Sequence, residues 1–364
     1  MKRKLNRVSG AFTVCLVALL CSALVARPQS KGKVNVGFVY PVSTGGSGSA
    51  RDTNIFSLHA LVGVSGVERG PSFAGLSQVV LKEASGVRVA GLSNHTGGNA
   101  SGIQFAGLLN TSKDLKGLSV ASLANFSGRL DGFQFAGVLN KARETTGTQL
   151  AGLSNIAGSV KGLQLAGLTN VAAGDVEGTQ ISGFLNVARK VKGIQFSAFM
   201  NIAEQSDYPV GLINLVRNGE KSLGVSIDET ASLMLNFKSG GRVLYGIVAL
   251  GYNLKNREEV YAFEGGFGAH VLNAKSFRLD LEATAQTLED FRSGDYMKSS
   301  LKVLPSWSFG PMVVFAGPTF NYLNTNTAEG RDLFRHRQHT WNGSEPGNLQ
   351  ALYIGYTAGL QVRL

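Results

Sequence analysis

Cysteine is nearly absent from this chain of 364 residues, which holds only Cys15 and Cys21. Both lie in an apolar stretch from Ala11 to Val25 that follows the basic residues Lys2, Arg3, Lys4 and Arg7. Small residues at Ala23 and Ala26 complete the pattern of a cleaved export signal over residues 1–26, with 27–53 as a lead-in strand. The stretch is short for a membrane span, and Arg27 and polar residues follow it, which favours cleavage over a retained helix. Leu20 before Cys21 makes a poor lipoprotein signal. A chain cut after Ala23 or Ala26 has no cysteine, which excludes disulfides, thiolate metal sites and cysteine nucleophiles.

Charge is scarce too: 16% of residues carry it, for a formal net charge of +11. Losing the four amino-terminal cations brings this to +7. The remaining Lys and Arg are dispersed, with no basic helix and no basic patch interleaved with aromatics, so nucleic acid is not an expected partner. The 8 prolines are too few for collagen, and 43% hydrophobic residues with so mild a charge argue against disorder. What is abundant is glycine, 47 residues, about twice the usual ~7%. Glycine scattered this widely points to a β-rich chain with many tight turns.

Self-similarity is the dominant signal. Gly recurs at 86, 102, 117, 132, 147, 162, 178 and 193, and Asn at Asn94, Asn110, Asn125, Asn140, Asn155, Asn170, Asn186 and Asn201, in steps of 15 or 16 residues. One unit reads Gly162-Leu163-Gln164-Leu165-Ala166-Gly167-Leu168-Thr169-Asn170. Apolar residues at Val160, Leu163, Leu165 and Leu168, followed by Asn170, step by 3, 2, 3 and 2, which neither a helix nor a long strand gives. Short strand faces separated by corners fit this pattern, three faces to a coil. Stacked coils would set Phe105, Val120, Phe135, Leu150, Leu165, Ile181 and Phe196 in an apolar column. The eight Asn would form an amide ladder. The repeat region is expected over 54–218. In an alternative reading each unit is one strand of a single wide barrel of about 16–18 strands.

After Asn218 the period becomes a strict 2. Leu352, Ile354, Tyr356, Ala358, Leu360, Val362 and Leu364 share one strand face, and Phe277, Leu279, Leu281, Ala283 and Ala285 another. Seven long strands are expected, near 229–238, 242–252, 258–272, 275–287, 296–309, 311–323 and 350–363. An eighth would come from Leu223–Ile227 or Val34–Val42. Strands this long, apolar on one face and polar or charged on the other, predict an outer-membrane-type antiparallel barrel over 219–364. A soluble β-sandwich is the alternative. The polar connection from Asn324 to Asn348 is expected to be a long loop. The fold class is thus all-β: a β-solenoid of 15/16-residue repeats followed by an antiparallel barrel.

No active site emerges, and no catalytic, cofactor or metal residue is assigned. His59, His95, His270, His336 and His339 are scattered. His336 and His339 form an H-x-x-H pair near Asp332 and Glu345, better read as a solvated loop than a metal site. Asp280 and Glu282 share a strand face with Arg278, which suggests an ion cluster rather than a catalytic pair. Gly265-Gly266-Phe267-Gly268 lies within a strand and is no phosphate loop. Gln104, Gln134, Gln149, Gln164, Gln180 and Gln195 form a row expected on a solvated solenoid face; the functional alternative is a flat surface for glycan or protein.

The units G-x-Q-x-A-G-L-x-N, the opening from Phe38 to Gly46, and the passage from Gly211-Leu212-Ile213-Asn214 through Glu229 to Phe237-Lys238-Ser239-Gly240 resemble an uncharacterised family of surface repeat proteins of Gram-negative bacteria, notably Bacteroidetes and spirochaetes. The resemblance implies an exported protein of the cell envelope and carries no catalytic residues. Leu364 departs from the terminal aromatic usual in outer-membrane barrels. The combined expectation is a non-enzymatic protein of the outer membrane or cell surface, with outer-membrane lipid as partner and glycan or protein as candidate ligands; a porin-like channel is the alternative.

Overall fold

A computed structural model describes residues 32–241, 243–291, 295–333, 339–343 and 348–364. The expected export signal with Cys15 and Cys21, and also His336 and Glu345, lie outside the described residues. A β-solenoid of about 11 turns is followed by a closed antiparallel barrel of eight strands. Two compact units divide the chain between Gly174 and Asp175.

In the first unit the coils pair in parallel, and in the regular repeats the recurrent Gly, Gln and Asn each stand on their own kind. Gln134 aligns with Gln149 and Gln164, and Asn125 with Asn140 and Asn155. Parallel rungs rule out the alternative of one wide antiparallel barrel. Lys33–Val39 pairs in parallel with Thr53–His59 and so begins the solenoid; it is not the eighth barrel strand. The recurrent glycine turns one corner. From Gly86 to Gly193 these residues have φ between +97° and +137°, and a Cβ on Gly147 would stand 2.1 Å from the carbonyl oxygen of Gly132 one coil earlier. Only glycine permits both the dihedral and the stacking.

The sense of the face that carries Leu163, Gln164 and Leu165 differs from the expected one. Along one coil the buried residues are Asn155, Ala157, Val160, Gln164 and Ala166, while Leu168 is 51% exposed and Leu163 and Leu165 are half-exposed. The apolar column that contains Phe105 and Phe196 points outward, and the glutamine row is interior rather than solvated or available as a flat surface. Alternation of period 2 is satisfied by either sense. Small alanines and amides that can bond the coils above and below fill the interior, with Leu115 and Leu130 packed among Ala100 and Ala142 at one corner.

The second unit holds the last coils and the barrel. Parallel pairing ends with Ile213–Val216, and antiparallel pairing begins at Glu220–Asp228, the first barrel strand. Ser232–Gly240, Leu244–Asn253, Tyr261–Asn273, Phe277–Glu289, Tyr296–Phe309, Met312–Thr325 and Leu349–Arg363 follow. The first strand pairs with the last, Leu223 opposite Val362, and the ring closes. Closure of one sheet excludes the two-sheet sandwich. The polar connection after the seventh strand is not all loop: it carries a short helix, Ala328–Asp332, and a strand, His339–Asn342, paired to the last barrel strand. The final coil of the solenoid lies against the outer side of the second and third barrel strands. There the backbone N–H of Asn214 donates to Ser239 Oγ at 2.9 Å, and its Nδ2 donates to the Ser239 carbonyl at 2.9 Å.

Candidate functional site

The barrel lumen concentrates the ionisable groups. Alternation turns Leu352, Ile354 and Tyr356 outward and Tyr353 and Thr357 inward on the last strand, and the other strands behave likewise. Inside, Lys238 Nζ lies 2.5 Å from Glu282, which also accepts the Tyr245 hydroxyl at 2.7 Å. Arg278 bridges Glu220 at 2.8 Å and Asp280 at 3.1 Å, and His270 Nδ1 lies 2.7 Å from Asp280. Lys302 meets Glu264 at 2.7 Å, and Lys298 meets Asp228 at 2.5 Å. Each buried cation thus has a carboxylate across the lumen, the condition for keeping charges out of water. Asp280 and Glu282 serve different cations, so the ion-cluster reading of that strand face describes them.

An apolar layer lies beside the ion pairs in the barrel. Met234, Leu288, Tyr296, Leu323 and Tyr353 pack there with Leu333, which follows the short helix. Thr327 Oγ1 caps that helix by accepting from Gly330 N at 3.1 Å, and Glu329 accepts from the backbone N–H of Arg257 at 3.0 Å, which ties the connection to the rim. Around Glu220, Lys238, Tyr245, His270 and Arg278 the remaining void is about 10 Å³, room for no more than a single water.

The second polar array is the ladder of the solenoid. In the first unit Nδ2 of Asn94, Asn110, Asn125, Asn140 and Asn155 donates to Oδ1 of the next Asn at 2.9–3.0 Å. The second hydrogen goes to a carbonyl of the next coil, as from Asn140 to Leu150 O at 2.7 Å. In the second unit Asn186, Asn201 and Asn214 repeat the arrangement. The glutamines run the other way: Gln149 Nε2 donates to Gln134, Gln164 to Gln149 and Gln195 to Gln180, at 2.9–3.1 Å. Two antiparallel lines of amide dipoles therefore oppose each other along the stack. Asn94 Oδ1 in the first unit and Gln195 Oε1 in the second accept no hydrogen bond.

Sequence reasoning passed over one pair in the early coils. Arg88 occupies the glutamine position of its repeat and is 1% exposed; its guanidinium donates to Thr96 Oγ1. Glu68, 2% exposed, accepts from Ser57 Oγ at 2.6 Å and Asn54 Nδ2 at 3.1 Å. Burial raises the Glu68 carboxyl above its ordinary value, against those hydrogen bonds and the charge of Arg88; burial lowers Arg88 to about 10, against the pull of Glu68. The departure of Gly86-Val87-Arg88-Val89-Ala90 from the G-x-Q-x-A pattern was the available signal.

The other candidates are not brought together. His59 is buried in the first coils, His95 bonds Thr111 at 2.8 Å, and the His339 ring lies tilted beside Trp341. Among the described residues no three His, Cys, Asp or Glu are grouped as a metal would need. Gly265 to Gly268 sit inside the fourth barrel strand. No helix among the described residues is long and apolar enough to cross a membrane. Fold and lumen define the class, a β-solenoid followed by a closed eight-stranded antiparallel barrel with ion pairs inside. Compared with known family models, curated proteins and solved structures, the chain matches none.

Proposed function

We propose that this is a non-enzymatic protein of a Gram-negative outer membrane, anchored by its barrel, with the repeats as a module for contact or envelope architecture at the cell surface. One observation carries the reading. The barrel is apolar outside, where Leu250, Phe263, Leu301, Phe320 and Ile354 are all 43% exposed or more, and ion-paired inside. A soluble protein rarely displays so continuous an apolar girdle, whereas a bilayer requires one. Packed side chains inside an eight-stranded barrel leave an anchor rather than a pore. Outer-membrane lipid is the partner of the girdle, and glycan or protein at the cell surface are candidate ligands of the module. The resemblance to Gram-negative surface repeat proteins points the same way. The test is migration on gels with and without boiling, together with fractionation. Faster migration of the unboiled, membrane-associated chain is expected; recovery wholly in the soluble periplasmic fraction contradicts the proposal.

A further inference from the structure

The barrel closes through its weakest ladder. Its first strand, Glu220–Asp228, has 9 residues and its last, Leu349–Arg363, has 15. Their pairing runs from Ser222 opposite Arg363 to Asp228 opposite Thr357 and stops there, the shortest of the eight ladders in the ring. Every other neighbouring pair in the ring is joined by a connection of the chain; this pair is not.

Glu229 stands where that ladder stops. Its backbone N–H donates to the Tyr356 carbonyl at 3.1 Å. An ordinary antiparallel pair returns a bond from the opposite N–H to the same residue's carbonyl. Here that carbonyl accepts from Lys255 Nζ at 3.2 Å, and the Tyr356 N–H donates instead to Glu229 Oε2 at 3.2 Å. The side chain thus takes the place of its own carbonyl. Its other oxygen gathers three strands: Oε1 accepts from the Tyr353 hydroxyl at 3.0 Å and from Asn321 Nδ2 at 3.1 Å, and Lys298 Nζ lies 3.7 Å away. The side chain is 11% exposed and crosses directly over Gly355, where any Cβ would collide with the carboxyl group. Neighbouring Asp228 has a different task, accepting from the backbone N–H groups of Thr230 and Ser232 at 3.0 Å and so holding the turn into the second strand.

We propose that the wall between the first and last strands is a lateral gate and that Glu229 is its latch. Past Asp228 the first strand is held to the last by this one residue, and the carboxylate carries most of its bonds. Its release leaves the Tyr356 N–H without its acceptor and Lys298 with Asp228 alone, so the two strands part from this end while the other seven ladders stay paired. Burial of a carboxylate over a glycine is retained because a longer ladder would close the wall for good. The gate concerns closure of the ring and stands or falls apart from the membrane reading.

Hydrogen–deuterium exchange of the purified full chain, read on peptides by mass spectrometry, tests this with Glu229→Ala and Gly355→Ala. The second variant keeps the carboxylate but displaces it. In each, exchange over residues 222–229 and 354–361 should quicken about tenfold or more, while residues 279–287 and 299–304 of the fifth and sixth strands stay within about twofold of the unchanged chain. Should Glu229→Ala not give the fast-migrating form on unboiled gels, Gly355→Ala carries the test. Acceleration spread evenly over all eight strands would make Glu229 a contributor to general stability and overturn the latch. Unchanged exchange at 222–229 and 354–361 in a folded variant would overturn it as well.

Discussion

Solenoid and barrel both enclose a polar interior and satisfy it with different groups. In the solenoid, parallel coils in exact register stack each residue on its own kind, so neutral amides that donate and accept can form endless ladders. Stacking like charges the same way would be repulsive, and no charged column runs through the interior. In the barrel, antiparallel closure brings unlike residues across a lumen, and there Lys238–Glu282, Lys298–Asp228 and Lys302–Glu264 pair opposite charges. Pairing geometry therefore selects the chemistry of the interior: self-complementary groups for parallel stacks, opposite charges for closed antiparallel rings.

Breaking the barrel side of this contrast should cost most. Lys298→Met leaves Asp228 buried without its cation, a loss of about 3–5 kcal/mol, read as a lower urea midpoint for the fast-migrating form. Replacing both members of a pair, Glu264→Leu with Lys302→Met, should restore most of what either single change loses. On the solenoid side, Asn155→Leu removes the acceptor of Asn140 and the donor to Leu165 O. At about 1–3 kcal/mol per buried group left unpaired, hydrogen exchange in the neighbouring coils should quicken while the barrel midpoint stays fixed. Gly147→Ala, set at φ +126° against the Gly132 carbonyl, should cost roughly 1–3 kcal/mol, by the same measurement.

The smallest effect is a pH dependence confined to the first coils. The Glu68 carboxyl is raised in the folded chain, so folding is unpenalised below the ordinary carboxylate value, where both states hold the proton, and is progressively penalised as pH rises above it. Exchange protection of residues 54–90 should fall from acidic to neutral pH, and Glu68→Gln should flatten that slope. An unchanged slope would mean that Glu68 is not the titrating group.

Much of this architecture was legible because both rhythms are strong. The fifteen-residue recurrence of Gly and Asn and the period of 2 after Asn218 follow directly from stacking and pleat. The sense of the faces was not legible. Leu163, Gln164 and Leu165 alternate equally well with leucine inside or outside, and only the coil's narrow interior, filled by Ala157, Val160 and Ala166, decides for glutamine. The helix at Ala328–Asp332 was hidden because its five residues form a single turn, too short for a periodic signal; Thr327 caps it locally, and Glu329 holds it through a tertiary contact to Arg257. In the candidate site, the shared strand face of Arg278, Asp280 and Glu282 was readable, but Lys238 and Tyr245 reach Glu282 across the lumen from strands far away in sequence.

Planar-bilayer conductance of the purified full chain tests most directly whether the ion-paired lumen is an anchor's core or a passage. The barrel described here should insert without measurable steps, at neutral pH and in high salt alike. Reproducible single-channel openings, abolished by a bulky substitution at an inward position such as Ser300→Trp, would contradict it.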